Sequence, residues 1–299
     1  MPTPIDVVIP TICDQQRAPL LMRAIDHVLS QDGVAARPIV VVNGSRVDAG
    51  ALAALQARRD IHLIRIEQGN LFLARRTGFG AVRAEFFAIH DDDDFLLPGS
   101  LARRLKAFRD DPTVDWVAAN GWFVKDGHEA PYIPSVEAVR RDPYGTLLDH
   151  CWLCSAGNLF RTAAINADIF DGVPSMDITY IALRLLAEGK KLALIDEPTF
   201  KYFYYPTSLS KQDHYNLAAA QAIRTMMTLP VPGWVRRGLA RKYRRAMHTL
   251  AAYHQTHGAL GDAWAAHLHS IAGFPEFFRF LAFTRKLLPL FGRAQPAVR

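Results

Sequence analysis

The stretch Phe86-Phe87-Ala88-Ile89-His90-Asp91-Asp92-Asp93-Asp94-Phe95-Leu96-Leu97-Pro98 decides how this sequence is interpreted, because it sets four adjacent carboxylates between two apolar segments. Like charges at such close range repel one another, and desolvation by the flanking apolar residues increases that cost. A divalent cation would relieve the repulsion, and the hard oxygen ligands of carboxylates suit Mg²⁺ or Mn²⁺. A solvated acidic turn is the alternative, but such turns are seldom enclosed by apolar residues on both sides. The sequence therefore favours a metal site directly after a buried strand.

Short apolar runs rich in β-branched residues alternate with helical patterns on both sides of this stretch. Strands are predicted at Ile5–Ile9, Ile39–Val42, His62–Ile66, Phe86–Ile89 and Trp116–Ala119. Helices are predicted between the strands, at Ala18–Gln31, Ala49–Ala57 and Phe72–Ala84. This alternation is typical of right-handed βαβ crossovers and a mainly parallel sheet. We therefore expect an α/β fold of Rossmann-like type that binds its ligands outside the carboxyl ends of the strands.

Three further segments carry polar groups to that predicted edge of the sheet. Val7-Val8-Ile9-Pro10-Thr11 and Val40-Val41-Val42-Asn43-Gly44-Ser45 both end in small or turn-forming residues. Asn70 to Gly78 places Arg75 and Arg76 near the start of a helix, where guanidinium groups can meet a phosphate. A solvent-facing helix surface is the alternative for these two arginines.

In this order and spacing, the motifs resemble glycosyltransferase family 2, whose members have the GT-A fold. The resemblance covers about residues 4–213 and is strongest in Ile89 to Leu101, which is similar to the family's LDxDDxLxPxxL segment. The family's DxD motif falls on Asp91 and Asp93. The resemblance implies that Asp93 holds a Mn²⁺ or Mg²⁺ ion bridging the diphosphate of a sugar nucleotide. It also implies that Asp91 lies against the ribose, beside the metal.

The resemblance extends to the rest of a nucleotide-sugar site. Pro10, Asn43 and Arg75 match family positions that line the nucleotide pocket. The predicted donor-binding residues are Pro10, Thr11, Asn43, Arg75, Asp91 and Asp92. The family often carries an aspartate pair before the Gly-Ser turn, whereas this chain has Val42-Asn43. The carboxylate that would recognise the base is therefore missing at this position.

Later motifs resemble the acceptor side of the same family. Gly157-Asn158-Leu159-Phe160-Arg161 is similar to the segment that faces the acceptor, and Asn158 and Arg184 are the residues expected there. Ser175-Met176-Asp177-Ile178-Thr179-Tyr180 resembles the ED motif, with Met176 in place of the glutamate. In inverting members the aspartate here is the general base, so the resemblance implies that role for Asp177. An aspartate that only caps a helix is the alternative.

Charge divides the chain into an acidic body and a basic tail. Residues 1–214 hold 23 Lys and Arg against 27 Asp and Glu, a net charge of −4, whereas residues 215–299 hold 12 against 2, a net charge of +10. We predict three regions: a nucleotide-sugar-binding half of a GT-A domain at 1–120, an acceptor-binding half at 121–214, and a basic helical region at 215–299. An acidic body is not expected to bind nucleic acid.

The basic tail is helical by its apolar period. Helices are predicted at Ala218–Met227, Val235–His257, Ala259–Ile271 and Glu276–Leu288. Its basic and aromatic residues favour docking on an anionic membrane face or on a lipid-linked acceptor. The alternative is that these helices pack on the catalytic domain or on a second subunit, which leaves a homodimer open.

Composition excludes several other classes of protein. Hydrophobic residues make up 50% and charged residues 21%, as in ordinary folded proteins. Three cysteines do not build a disulfide framework, and the start MPTPIDVVIP lacks the pattern of a signal peptide. Every long apolar window is interrupted by charges, so no spanning helix is expected. We expect a cytoplasmic protein, bound at most peripherally to the inner face of the membrane.

These observations together predict a metal-dependent inverting glycosyltransferase. It would move a sugar from a nucleoside-diphosphate sugar to a hydroxyl of a glycan or lipid-linked acceptor, in bacterial surface polysaccharide synthesis. A nucleotidyltransferase is the enzymatic alternative, but the loop from Thr11 to Arg17 lacks the glycines expected of its phosphate loop. A non-catalytic GT-A-like module that binds carbohydrate or membrane is the other alternative, against which the intact acidic cluster argues.

Overall fold

The computed structural model describes residues 2–171, 173–205, 212–273 and 275–288. The described residues form two compact units, the first from residues 2–171 and 177–205 and the second from residues 173–176, 212–273 and 275–288. The first unit is a mixed α/β domain, and the second is helical. The expected α/β class with a helical C-terminal region is thus confirmed.

The first unit contains all the described strands and seven α-helices. The strands are β1 (Thr3–Thr11), β2 (Val34–Asn43), β3 (His62–Ile66), β4 (Phe86–Ile89), β5 (Phe95–Leu96), β6 (Trp116–Ala119), β7 (Trp122–Lys125), β8 (His128–Pro131), β9 (Asn158–Arg161), β10 (Leu192–Ile195) and β11 (Phe200–Phe203). The helices are α1 (Ala18–Leu29), α2 (Ala49–Ala57), α3 (Leu71–Gly80), α4 (Ser100–Asp110), α5 (Val136–Arg141), α6 (Pro143–Asp149) and α7 (Asp177–Ala187).

A seven-stranded sheet in the order β10-β6-β9-β4-β1-β2-β3 forms the centre of this unit. All neighbouring pairs are parallel except those that β9 makes with β4 and β6. The central strands are buried on both faces, as their nearly continuous apolar sequences require. The register pairs Thr11 with Val42 and Val8 with Ile89, so the carboxyl ends of β1, β2 and β4 meet at one edge.

A second sheet in the order β5-β11-β7-β8 lies beside the acidic stretch in sequence, since β5 follows it at once. Strands β7 and β8 form an antiparallel hairpin within this sheet. The parallel pairing of β7 with β11 joins strands about 80 residues apart. Local patterns carry no information on such a distant partner, so the sequence did not predict this sheet.

The second unit consists of helices around a small apolar core. The helices are α8 (Asp213–Leu217), α9 (Ala219–Met226), α10 (Gly233–Thr256), α11 (Leu260–Ile271), α12 (Glu276–Leu281) and α13 (Thr284–Leu287). Met247, Ala251, Ala263, Phe283 and Leu287 are among the side chains that form this core. In the part of the chain that the structure describes, no helix is both long and apolar enough to cross a membrane.

Close packing of α3 on the central sheet depends on Gly78. A Cβ atom at this position would lie 2.3 Å from Cγ1 of Val8 and 3.2 Å from Cγ2 of Val41.

We expect Gly78→Ala to lower the free energy of unfolding by about 1–3 kcal/mol, since overpacking must displace β1 or β2. Gly80→Ala in the same helix is the control, because a Cβ there meets nothing within 4 Å. Equal urea denaturation midpoints for the two variants would contradict this account.

His90 lies directly after β4 and is 1% exposed. Its burial makes the folded protein less stable at acidic pH. Burial lowers its pKa from 6.5 to about 3, although the charge of Asp91 acts in the opposite direction. Between these two values the unfolded chain binds a proton that the folded chain does not. The contribution of His90 to stability is therefore complete above the unfolded pKa and is lost as the pH falls toward the folded one, by up to about 1.4 kcal/mol per pH unit.

We accordingly expect His90→Leu to lose less unfolding free energy than the wild type when the pH falls through this window. Urea denaturation at both ends of the window measures the difference. His128→Leu, at an exposed position on β8, should follow the wild type. A His90→Leu profile that runs parallel to the wild type would show that His90 is not the titrating group.

Candidate active site

The carboxyl ends of β1, β2 and β4 bring the predicted donor-site residues together. The Asn43 amide donates to the Thr11 carbonyl at 2.8 Å and accepts from the Asn70 backbone N–H at 3.1 Å. Asn70 in turn caps α3 by accepting from the N–H groups of Phe72 and Leu73. Asn43 thus joins two strand ends to the helix that carries Arg75, and Pro10 is buried beside Thr11 in β1.

Arg17, at the start of α1, forms ion pairs with two of the four adjacent carboxylates. Its Nε donates to Asp92 at 3.2 Å and its Nη1 donates to Asp93 at 2.8 Å, while Nη2 also pairs with Asp92. The Thr11 hydroxyl donates at 2.5 Å to Oδ2 of Asp92, the same oxygen that accepts from Nε of Arg17. Burial nevertheless raises the pKa of Asp92 to about 6, against the effect of Arg17. The loop after β1 therefore supplies the positive charge for the middle of the acidic stretch.

Arg75 lies between Asp91 and Asp177 and pairs with both. Its Nη2 donates to Asp91 at 2.8 Å, and its Nη1 forms an ion pair with Asp177. The Arg75 side chain is 3% exposed and the Asp177 side chain 9%, so their ion pair is buried. These contacts bring the expected general base next to Asp91 of the predicted DxD motif, although the two carboxylates are 86 positions apart in the chain.

The hydroxyl of Ser155 contacts the two outer carboxylates of the stretch. It donates to Asp91 at 2.7 Å and lies 3.1 Å from Asp94. Burial raises the pKa of Asp94 well above its ordinary value, and the charges of Asp91 and Asp93 raise it further. Although burial acts the same way on Asp91, the Arg75 guanidinium and the Ser155 hydroxyl lower the pKa of Asp91. The surroundings therefore favour the uncharged form of Asp94 and the ionised form of Asp91.

The exposure of the carboxylates fits a metal that is shared with a bound diphosphate. The Asp91 and Asp93 side chains are 30% and 16% exposed, whereas the Asp92 side chain is 2% exposed. Among the described residues, no group of three or more His, Cys, Asp and Glu side chains is arranged to hold a metal. Mg²⁺ is commonly held by one or two carboxylates together with substrate phosphates. Asp91 and Asp93 suit that mode of binding, and a complete protein cage is absent from the described part.

The two residues expected on the acceptor side lie in different surroundings. Asn158 is fully buried, accepts from the Ile89 N–H at 2.8 Å and donates to the carbonyls of Ile89 and Cys154. It therefore fixes the end of β4 and the turn that carries Ser155. Arg184 on α7 pairs with Asp168 and Glu188.

Two residues of the site were missed by sequence reasoning. Arg17 is the one basic residue in the loop from Thr11 to Arg17, and that position could have singled it out as a partner for the acidic stretch. Ser155 precedes the Gly157-Asn158 motif by two positions and has no comparable signal.

Strained backbone flanks the site at two points. Cys13 and Met176 have φ values of 49° and 56°, in the left-handed region that residues with a side chain seldom adopt. Cys13 lies in the loop between Thr11 and Arg17, and Met176 directly precedes Asp177. Such strain persists where the surrounding structure imposes it, and functional sites are where it clusters.

Solved structures with a similar fold include S. aureus TarS and a mannosyltransferase. The crystal structure of residues 1–349 of S. aureus TarS in complex with UDP matches with a TM-score of 0.59 and 15% identity, over 97% of this chain and 86% of that chain. A complex of the same TarS segment with UDP-GlcNAc matches with a TM-score of 0.57 and 13% identity, over 96% and 82%. The mannosyltransferase PcManGT from Pyrobaculum calidifontis, in complex with GDP-Man and Mn²⁺, matches with a TM-score of 0.51 and 19% identity, over 97% and 84%.

At these identities the similarity establishes the fold alone, and no curated protein matches this sequence. The sequence profile described as Glycosyl transferase family 2 matches residues 6–170, which include the acidic stretch, Arg17, Arg75 and Ser155. The matched segment is more than half of the 299 residues, and the chain therefore belongs to glycosyltransferase family 2.

Proposed function

We propose that this protein is a metal-dependent inverting glycosyltransferase that uses a nucleoside-diphosphate sugar as its donor. The observation that carries the proposal is that Arg75 pairs with both Asp91 and Asp177. This side chain joins one of the two carboxylates suited to a metal with a separate buried carboxylate suited to a base. Family membership and the sugar nucleotides bound to proteins of similar fold support the same reading.

The donor half of the proposal rests on the DxD carboxylates and their partners. Asp93 and Asp91 would hold Mn²⁺ or Mg²⁺, which when bound neutralises charge on the diphosphate leaving group. Pro10, Thr11, Asn43, Arg75 and Asp92 are proposed to form the nucleotide pocket around them. Arg17 and Thr11 hold Asp92 in place, so the adjacent Asp93 is presented at a fixed position. The base of the nucleotide is left open, since UDP and GDP are both bound by proteins of this fold.

The catalytic half of the proposal, the general base, rests on Asp177. Its carboxylate is buried, and the Arg75 guanidinium pairs with it, which favours the ionised form that accepts a proton. The acceptor hydroxyl oxygen would attack the anomeric carbon while Asp177 takes its proton. The bond between that carbon and the diphosphate oxygen breaks, and its electron pair leaves with the nucleoside diphosphate. A single displacement with no enzyme nucleophile inverts the configuration.

The acceptor that we propose is a hydroxyl of a glycan or lipid-linked glycan, as in bacterial surface polysaccharide synthesis. The basic second unit suits the phosphates of a lipid-linked glycan. All three cysteines are free thiols, which suits work in the reducing cytoplasm where sugar nucleotides would be met. A nucleotidyltransferase is disfavoured, because Arg17 and not a glycine-rich phosphate loop follows β1.

Removal of the Asp93 carboxylate tests the metal and donor site. Asp93→Ala should abolish the Mn²⁺-dependent rise in melting temperature on addition of UDP-GlcNAc or GDP-mannose, since the metal loses its ligand. A donor at about 100 times its Kd stabilises the folded protein by about 2.7 kcal/mol, which such melting curves resolve. Asp149→Ala, at an exposed position on α6, is the matched control and should keep the rise. An undiminished rise in Asp93→Ala would exclude this carboxylate as a ligand.

Asp177→Asn tests the general base. Release of nucleoside diphosphate from either sugar nucleotide, with Mn²⁺ present and water as the acceptor, should slow by about 10²–10⁴-fold. The Mn²⁺-dependent thermal stabilisation by the donor should persist, because the metal ligands are intact. Asp149→Asn provides the control for loss of one carboxylate. Turnover of Asp177→Asn at the wild-type rate, with donor binding unchanged, would place the base elsewhere.

A further inference from the structure

The outward face of α12 and α13 combines exposed aromatic and basic side chains. The residues of this face are Phe277, Phe278, Arg279, Leu281, Arg285 and Lys286, and we refer to them as the α12–α13 face. Phe278 is 66% exposed, Leu281 40% and Phe277 37%. Large apolar side chains at adjacent exposed positions are unfavourable in water, so this face calls for an apolar partner.

The inward side of the same helices fixes the orientation of that face. Phe283 and Leu287 lie in the core of the second unit. Phe280 stacks on the His248 ring with centroids 4.0 Å apart, and Thr284 lies 2.8 Å from Nε2 of His267. Phe277 and Phe278 are thus exposed although other apolar side chains of the same helices are buried in the core. The helices already bury one apolar side and present a second.

The fold buries the acidic side chain nearest to this face. Glu276 is the one acidic residue among residues 275–288, and its side chain is 1% exposed. It interacts with Nε of Arg244 at 3.3 Å and with Nε of Arg245 at 3.8 Å. The exposed charges that remain, on Arg279, Arg285 and Lys286, are all positive. Arg245 extends the positive charge onto α10.

We propose that the α12–α13 face binds the surface of an anionic lipid bilayer. Phenylalanine and leucine side chains would enter the boundary between headgroups and acyl chains, and the three cations beside them would interact with anionic headgroups. A second copy of this chain is a poorer partner, since a symmetric dimer through this face would oppose positive charge to positive charge. This goes beyond the proposed transfer reaction and does not depend on it.

Flotation of the full-length protein with lipid vesicles tests the proposal. The protein should float with vesicles of phosphatidylcholine and phosphatidylglycerol at low salt, and remain behind with phosphatidylcholine alone. Arg279→Gln/Arg285→Gln/Lys286→Gln should lower the partition coefficient by about 100-fold, given about fivefold for each cation near an anionic surface. Arg59→Gln/Arg141→Gln/Arg224→Gln removes three exposed cations from other elements and should bind as the wild type does.

The apolar part of the face is tested separately. Phe277→Ser/Phe278→Ser/Leu281→Ser should lower the partition coefficient by about tenfold or more, with the melting temperature unchanged because these side chains are exposed. Leu268→Ser, at an exposed leucine of α11, is the matched control. Salt should weaken wild-type binding as the charges are screened.

Three results would overturn the proposal. The first is no flotation of the wild type with anionic vesicles at low salt. The second is flotation that neither triple variant of the face diminishes. The third is a dimer, or a complex with a single-stranded oligonucleotide, that forms without lipid and is lost in the serine variant, with vesicle binding absent. None of these results depends on turnover, so failure here leaves the tests of Asp93 and Asp177 unaffected.

Discussion

The repulsion among the four carboxylates at 91–94 is the constraint on which the active-site side of the molecule depends. The structure balances these charges in three ways. Arg75 pairs with Asp91, Arg17 pairs with the two middle carboxylates, and burial raises the pKa of Asp94, which favours its uncharged form. Without such balancing, burial next to β4 would carry a large desolvation cost for each anion. The acidic stretch therefore determines which side chains must surround it.

The parallel sheet is what makes this balance possible. Arg17 follows β1, and Arg75 lies on α3, the helix before β4. Strands β1 and β4 end at the same edge of the sheet, where the acidic stretch begins. Gly78 allows α3 to lie close against β1, and Asn43 and Asn70 fix the start of that helix. Packing of the core thus sets the position of the guanidinium that reaches both Asp91 and Asp177. A change in the distance between α3 and the sheet would therefore move Arg75 relative to Asp91 and Asp177.

The predictable parts of this arrangement are those that depend on local sequence patterns. Apolar periodicity predicted the central strands and the helices of the second unit, and four adjacent aspartates predicted an unusual site after β4. The role of Asn158 was not predictable, because its partners are backbone groups of β4 nearly 70 residues away. The β5-β11-β7-β8 sheet was missed for the same reason, since its strands are short and their pairing is remote. Local pattern thus located the site, and long-range pairing determined which residues complete it.

Met176 stands where the resemblance to the ED motif implies a glutamate, and this difference bears on how the proposed base is kept ionised. A glutamate at this position would add a second negative charge next to Asp177 and would raise the pKa of both carboxyls. Met176 adds none, and the buried Arg75 guanidinium compensates for both Asp177 and Asp91. One cation shared by two carboxylates also means that any group drawing Arg75 toward the donor side alters the environment of Asp177. Arg75 is therefore the physical link between the proposed donor site and the proposed base, because its guanidinium pairs with a carboxylate of each.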